Sequence, residues 1–195
     1  YALNTFATAL IGKKYGIPVI EEINDATGIR RVRKHRIEFL AKWIETWVFE
    51  KAAALITISS EFERILIGRG FPKEKISFVP NAVDPDVFNT ALYDHKIRTK
   101  LKLENKLVVG FVGSFALWHG VDLVLQIAPE LIRKIPNIHF LMVGSGLKLN
   151  DVKNKVSQMG FSNEFTFTGR VDYRDVPQYL NVMDIGLIPD SNEYG

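Results

Sequence analysis

The chain has 195 residues, of which 47% are hydrophobic and 24% charged, and its formal net charge is +3. These values are typical of a soluble globular protein of one large or two small domains, and the charge is too small to indicate nucleic acid as a partner. There are no cysteines, which excludes disulfides and thiolate chemistry and favours a reducing compartment such as the cytoplasm. No apolar run approaches the roughly 18–20 residues of a membrane-spanning helix, and the first residues lack the features of a signal peptide.

Helical spacing and strand-like apolar runs alternate along the first 88 residues. Ser60 and Glu63 have the spacing of a capping box and predict the start of a helix that Gly70 ends. The predicted elements are, in order, a helix from Leu3 that Gly16 and Pro18 end, the strand PVIEEI, a long helix from Ile37 that ends near Ala52, the strand ALITIS, the helix after Ser60 and the strand ISFVP.

Polar residues crowd positions 89–106, which we predict to be a linker between two domains. The strands LVVGFVG, IHFLMVG, FTFTG and DIGLIP follow, separated by helical patterns. Strands separated by helix-length patterns predict parallel sheets covered by helices on both faces. The fold class is therefore predicted to be α/β, with two parallel-sheet units at 1–88 and 107–195.

Three strands of the second unit end in glycine-containing turns, at Gly113, at Gly144 with Gly146, and at Gly169. Parallel sheets bind ligands outside the carboxyl ends of their strands, where glycines let the backbone approach an anion at a helix N-terminus. Any one of these glycines is also explained as the residue that ends a strand. Three glycine-containing turns at corresponding strand ends favour a ligand-binding crevice. Neither GxGxxG nor GxxxxGK[ST] is present.

None of the four histidines is spaced with another histidine or an acidic residue as metal ligands are, so no metal is expected. His119 lies directly before a predicted helix and is a candidate donor to phosphate, with an ordinary surface histidine as the alternative. His95, in a polar helix, and His139, at the start of a strand, are expected to be structural. No GxSxG or Ser-His-Asp arrangement indicates a hydrolase.

The run RRVRKHR (30–36) is the strongest cluster of charge. Basic residues are unfavourable near a helix N-terminus, so Arg30, Arg31 and Arg33 are candidates for contact with an anionic acceptor or a membrane surface. The alternative interpretation is a solvated loop. Trp43 and Trp47, one turn apart, are expected to extend the apolar face of the following helix. A membrane-contacting or partner-contacting face is the alternative.

Several segments, taken in order, resemble the retaining glycosyltransferases of family 4, the group 1 glycosyltransferases with the GT-B fold. The family's VPNGVD…F, GRL…KG(V/M)D, VG.G, F.G.V and (V/L)..Y…AD..L.PS..E patterns are similar to VPNAVDPDVF, GSFALWHGVD, LMVGSG, FTFTGRV and VPQYLNVMDIGLIPDSNE. In the first half, EIN (22–24) and the pattern E..A…I.IS also match. The resemblance covers nearly all of the chain, which is expected to begin late in the first of two Rossmann-like domains and to stop inside the second.

This resemblance implies transfer of a hexosyl group from a UDP- or GDP-sugar to an acceptor, with retention of anomeric configuration and without a metal or other cofactor. Ser114 and His119 stand where the family usually has Arg and Lys. Asn24 stands where many members have a histidine that faces the donor sugar, and it is the catalytic candidate. The donor-binding residues implied are Gly113, Ser114, His119, Gly120 and Gly144 near the diphosphate, Arg170 and Val171 at the nucleobase, and Glu193 at the ribose or sugar.

The acceptor is expected to be a glycan, a lipid-linked molecule or a small molecule. The protein is expected to be cytoplasmic, and peripheral contact with the inner face of the membrane is the alternative. A nucleotide-sugar epimerase of the same fold is an alternative, which product formation without an acceptor would identify. A non-catalytic binding module is another. The 195-residue chain alone is expected to be inactive, because the second Glu of the family's pattern would lie beyond Gly195.

Overall fold

The computed structural model describes residues 2–24, 38–90, 95–116 and 119–189. The described residues form two compact units, one that ends at Ala82 and one that begins at Val83. Within the segment 89–106, expected to be a linker, the structure has a short helix, α4 (His95–Lys100). Ile97 and Leu101 of this segment pack against buried residues of the second unit.

The first unit contains a three-stranded parallel sheet in the order β1-β2-β3. The sequence patterns predicted the order of its α-helices and strands, and the strands are shorter than the apolar runs that indicated them. The elements are α1 (Ala2–Tyr15), β1 (Ile20–Ile23), α2 (Glu38–Lys51), β2 (Ala54–Thr57), α3 (Ser60–Gly68), a 3-10 turn (Lys73–Lys75) and β3 (Ile76–Phe78).

Ser59, not Ser60, caps α3. Its backbone is extended (φ −139°, ψ 146°), and its side chain accepts a hydrogen bond of 3.1 Å from the N–H of Phe62. Ser60 is already the first helical residue, so the capping box predicted from Ser60 and Glu63 is wrong by one position. Spacing alone does not reveal which of two adjacent serines still has the extended dihedrals that a cap requires.

The two tryptophans of α2 have different environments. Trp47 packs against Phe6 of α1 with ring centroids 5.1 Å apart, whereas Trp43 is 58% exposed. Leu40, an apolar residue of the same helix, is 40% exposed, while Val48 is buried. A helix on a narrow sheet buries only the stripe that faces it, so the apolar face read from the sequence is wider than the buried one.

The second unit contains a four-stranded parallel sheet in the order β6-β5-β4-β7. All six residues of β5 are buried, as expected for a strand with neighbours on both sides. Besides α4, the elements of this unit are β4 (Leu107–Val112), α5 (Val121–Lys134), β5 (Ile138–Val143), α6 (Leu149–Gln158), β6 (Phe165–Gly169), α7 (Val176–Asn181) and β7 (Ile185–Leu187).

Alternate residues of β4 and β5 face two separate cores, because successive side chains of a strand point to opposite faces of the sheet. Phe111 and Phe140 join one core, to which α5 and α6 contribute Val124 and Val152. Val108, Leu141 and Val143 join the other core, against residues of the α4 and α7 segments. Both faces of this sheet are therefore covered, as its continuous apolar strands predicted.

Arg98 joins the start of β4 to the start of β7. Its guanidinium donates to the carbonyl oxygens of Lys106 (2.7 Å), Leu103 (3.0 Å) and Val182 (3.3 Å) and to the carboxylate of Asp184 at 3.2 and 3.4 Å. Asp184 also accepts from the N–H of Val108 at 2.7 Å. Burial opposes the charge of Asp184, but these hydrogen bonds and the Arg98 charge outweigh it and lower the pKa of that carboxyl.

Among the described residues, no helix combines the length and the apolar composition needed to cross a membrane.

Candidate functional site

The carboxyl ends of β4, β5 and β6 meet at one edge of the second sheet, because the three strands are adjacent and parallel. The N–H of Gly113, after β4, donates to the carbonyl oxygen of Val143 at 3.0 Å. The N–H of Gly144, after β5, donates to the carbonyl oxygen of Gly169 at 3.0 Å. The three glycines singled out from the sequence thus lie side by side on the edge where parallel sheets bind ligands.

Gly144 has a structural role as well. Its φ of +130° lies in the region that residues with a side chain rarely adopt, and an added Cβ atom would overlap the carbonyl oxygen of Gly113. The ends of β4 and β5 are therefore packed backbone against backbone. Close backbone packing explains why the strands end in glycine. This explanation is compatible with ligand binding, because glycines also leave the edge of the sheet clear of side chains.

Phe115 anchors the loop that follows β4. Its side chain is fully buried and contacts the ring of Phe111 edge-on at 5.6 Å. Its N–H donates to the carbonyl oxygen of Ser145, and its carbonyl oxygen accepts from the N–H of Lys148, each at 3.0 Å. A Cβ atom on Gly146 would lie 2.7 Å from the Phe115 nitrogen. The loops after β4 and β5 are thus one hydrogen-bonded assembly.

His119 closes the loop back onto Ser114. Its Nδ1 lies 2.6 Å from the carbonyl oxygen of Ser114 and 3.1 Å from the hydroxyl oxygen of the same residue. A carbonyl oxygen only accepts hydrogen bonds, so Nδ1 carries a proton. The neutral ring then has an unprotonated Nε2, and only the charged ring has a proton on both nitrogens.

Gly120 directs the chain from this loop into α5. It has left-handed dihedrals (φ 58°, ψ 20°) and is the N-terminal cap of that helix, which continues for 14 residues. Glycine adopts this conformation at low cost, and it provides no capping side chain. The N–H groups of the first turn, with the positive end of the helix dipole, are therefore adjacent to His119.

Asp122, in the first turn of α5, connects this helix to the next. Its carboxylate accepts from Lys148 at 2.7 Å and from Lys155 of α6 at 2.9 Å. These hydrogen bonds, led by that from Lys148, lower the pKa of Asp122. The sequence did not indicate this role of Asp122. An acidic residue in the first turn of a helix indicates an interaction with the helix dipole, whereas the lysine partners of Asp122 come from later elements.

Arg170 and Val171 follow β6 at the same edge. Arg170 is exposed, whereas Val171 is half-buried against a core of the second unit. In the sheet order, β6 is two strands from β4, a separation of about 10 Å at the usual interstrand spacing. The edge therefore extends from the loop of Ser114 and His119 to the segment of Arg170 and Val171.

The other predicted site residues lie in the first unit or outside the described residues. Asn24 directly follows β1 in the first unit and is exposed, and its catalytic role stays a prediction. Glu193 and the basic residues Arg30, Arg31 and Arg33 lie outside the described residues. In the part of the chain that the structure describes, no group of three or more His, Cys, Asp or Glu side chains could hold a metal ion.

Comparison with protein families assigns both halves of the chain. Residues 94–194 match the family model described as glycosyl transferases group 1, and residues 1–87 match the model described as glycosyltransferase family 4. The chain belongs to the group 1 glycosyl transferase family.

Two relatives by sequence are named as glycosyltransferases. The chain is 30% identical to 2-deoxystreptamine glucosyltransferase of Streptomyces kanamyceticus, over 77% of this chain and 40% of that protein. It is 22% identical to alpha-D-kanosaminyltransferase of the same organism, over 96% of this chain and 50% of that protein. The chain thus spans half or less of the length of these curated relatives.

Solved structures share the fold. The Anabaena HepE protein in complex with UDP superposes with a TM-score of 0.78 at 17% identity, over 97% of this chain and 51% of that one. Sucrose-phosphate synthase from Thermosynechococcus elongatus gives a TM-score of 0.74 at 16% identity, over 97% of this chain and 49% of that one. The fold is the GT-B type expected from the sequence, with two Rossmann-like parallel-sheet units.

Proposed function

We propose that this chain is part of a retaining hexosyltransferase that binds a nucleotide-diphosphate sugar at the carboxyl edge of the second sheet. The observation that carries the proposal is the loop from Gly113 to Gly120. Phe115 anchors the described residues 113–116 of this loop, and His119 lies beside the N-terminus of α5. Helix N-termini and charged imidazoles both stabilise phosphate oxygens.

In the proposed reaction, the leaving diphosphate is stabilised by this loop instead of by a metal. The bond between the anomeric carbon and the donor phosphate oxygen breaks, and the acceptor oxygen bonds to the same face of that carbon. The acceptor proton passes to the departing diphosphate. Fixed donors that face developing charge are an effective way to lower such a barrier.

His119 is the cation of the loop in this proposal. Because its Nδ1 donates within the loop, only the charged ring can also donate from Nε2 to a phosphate oxygen. A charge-assisted hydrogen bond of about 1.5–3 kcal/mol corresponds to a factor of roughly 10–150 in affinity.

The test is titration of UDP and GDP into the chain by calorimetry. We expect weaker binding in His119→Ala and recovered binding in His119→Lys, which restores the family's usual residue. Equal affinity of wild type and His119→Ala, or no binding by either, would contradict the phosphate role of His119.

The acceptor, the sugar and retention belong to the same proposal. Relatives of this chain include a transferase named for a diphosphoundecaprenol-linked sugar and others named for 2-deoxystreptamine, so lipid-linked and small-molecule acceptors both fit. The resemblance to family 4 supports retention. In any preparation that transfers sugar, the anomeric coupling of the product in a proton NMR spectrum decides between retention and inversion.

A further inference from the structure

Lys148 contacts the chain on both sides of the loop that joins β4 to α5. Its backbone N–H donates to the carbonyl oxygen of Phe115 at 3.0 Å, near the start of that loop. Its Nζ donates to the carboxylate of Asp122 at 2.7 Å, in the first turn of α5, directly after the loop has ended. A single residue of a neighbouring segment therefore connects the beginning of the loop to the helix that follows it.

The backbone half of this connection is fixed by hydrogen bonds on either side of it. The N–H of Phe115 donates to the carbonyl oxygen of Ser145 at 3.0 Å, so the two segments meet through a pair of hydrogen bonds. Lys148 is also the N-terminal cap residue of α6, and its carbonyl oxygen accepts from the N–H of Val152 at 2.9 Å. The position of Lys148 is therefore set by α6 and by the loop after β5.

The side-chain half of the connection is partly shielded from solvent. The side chains of Lys148 and Asp122 are 21% and 34% exposed. In the pair of Lys134 with Glu130, at the other end of α5, the two side chains are 69% and 61% exposed. Solvent screens an exposed ion pair, so the pair at the start of α5 is the stronger one. Lys155 adds a second hydrogen bond to the same carboxylate, at 2.9 Å.

The two side chains proposed to meet the diphosphate adjoin the residues that Lys148 contacts. Ser114 directly precedes Phe115, and His119 is three residues before Asp122. The imidazole of His119 lies 2.6 Å from the carbonyl oxygen of Ser114, so a shift of either side of the loop would alter this contact. A loop that is already held in its binding conformation does not have to be ordered when the ligand arrives.

We propose that Lys148 is a positioning residue of the donor site, because its contacts with Phe115 and Asp122 hold the loop between them in the conformation that binds diphosphate. This inference rests on the proposed function, since it assumes that the loop of residues 113–120 binds the donor. Lys148 acts here through its ion pair with Asp122 and does not contact the donor itself. Removal of either partner of the pair should therefore have the same effect on donor binding.

The experiment is a double-mutant cycle on nucleotide affinity. UDP and GDP are titrated by calorimetry into the 195-residue chain, Lys148→Met, Asp122→Ala and the double variant. We expect each single variant to bind roughly 3- to 30-fold more weakly, and the double variant to bind within about twofold of the weaker single variant, because the two substitutions remove one shared contact. Direct attraction of the diphosphate by Lys148 predicts a different pattern, in which loss of the Asp122 charge tightens binding.

Two further variants separate positioning from a general effect on the fold. Lys148→Arg retains a cation that can donate to the Asp122 carboxylate and should recover most of the affinity that is lost in Lys148→Met. Lys134→Met is the matched control, since it breaks the exposed pair on the same helix, and it should bind both nucleotides as wild type does. Circular dichroism establishes that each variant is folded, and a purely structural role of Lys148 would leave the affinity of the folded variants unchanged.

Three outcomes overturn this inference alone. They are unchanged affinity in folded Lys148→Met and Asp122→Ala, tighter binding in Asp122→Ala, and losses that multiply in the double variant. If the folded wild-type chain binds neither UDP nor GDP, the donor site itself is overturned, and the positioning role of Lys148 with it.

Discussion

Gly144 and Gly113 are in contact backbone to backbone, and a single methyl group on Gly144 would overlap the carbonyl oxygen of Gly113. The contact joins the ends of β5 and β4. It is reinforced by the hydrogen bond from the N–H of Gly113 to Val143. The shape of the proposed donor edge therefore depends on the absence of side chains at these two positions.

Gly144→Ala is expected to destabilise the protein and to weaken UDP binding. Left-handed strain alone costs about 1–3 kcal/mol, and the overlap with Gly113 adds to it. Chemical denaturation measures the free energy of unfolding, and Gly186→Ala is the control, because a Cβ atom on Gly186 would meet no atom within 4 Å. If both variants unfold at the same denaturant concentration as wild type, the contact does not stabilise this edge.

Asp122→Asn should loosen the connection between α5 and α6. The three side chains of this cluster are 21–53% exposed, so a loss of about 1 kcal/mol in unfolding free energy is expected. Because the pKa of Asp122 is lowered in the folded protein, its contribution is present at neutral pH and is lost as the pH falls below about 4. Glu130→Gln, which breaks the more exposed pair with Lys134, is the control and should cost under about 0.5 kcal/mol. Equal effects of the two substitutions would contradict a special role for Asp122.

His139 should make stability fall at mildly acidic pH. It is buried, its Nε2 lies 2.8 Å from the hydroxyl of Thr166, and its Nδ1 has no partner among the described residues. Burial, with a smaller effect of the Lys106 charge, lowers the pKa of His139 from 6.5 to about 4. The unfolded chain therefore takes up a proton first, so stability that is complete above pH 6.5 decreases as the pH approaches 4.

The expected loss from this histidine is about 3 kcal/mol at low pH. Urea unfolding at pH 7.5, 5.5 and 4.5 would measure it. In His139→Leu the decrease between pH 6.5 and pH 4.5 should be strongly reduced, whatever the stability of that variant at pH 7.5. An unchanged pH dependence in His139→Leu would show that other groups cause the decrease.

Arg98→Ala is expected to lower the free energy of unfolding by about 2–3 kcal/mol, because Asp184 and three carbonyl oxygens lose a charged donor together. Arg133→Ala serves as the control, since Arg133 makes an exposed hydrogen bond within α5, and it should change stability by no more than about 0.5 kcal/mol. UDP affinity should be little affected in Arg98→Ala, because Arg98 joins the amino ends of β4 and β7, opposite to the proposed donor edge. A large loss of UDP binding with unchanged stability would contradict this assignment.

Local patterns predicted the element order well, because each strand and helix has its own periodicity of apolar residues. The prediction was less accurate where two neighbours had the same chemistry. Ser59 and Ser60 are equivalent in the sequence, and only the backbone dihedrals identify Ser59 as the cap. In the same way, Trp43 and Trp47 share a helical face, and only the packing against Phe6 buries one more than the other.

The sequence by itself determined an α/β chain of the group 1 glycosyltransferase family and the position of a glycine-bracketed loop without Lys or Arg. Family motifs and apolar periodicity are local properties, so they can be read without a structure. Only the tertiary structure decided that His119 closes the loop onto Ser114, that Asp122 is held by Lys148 and Lys155, and that Tyr173 is supported by Phe88. Two of these contacts join distant parts of the chain: Asp122 and Lys148 are 26 positions apart, and Phe88 and Tyr173 are 85 positions apart. Over such separations the sequence pattern contains no geometric information.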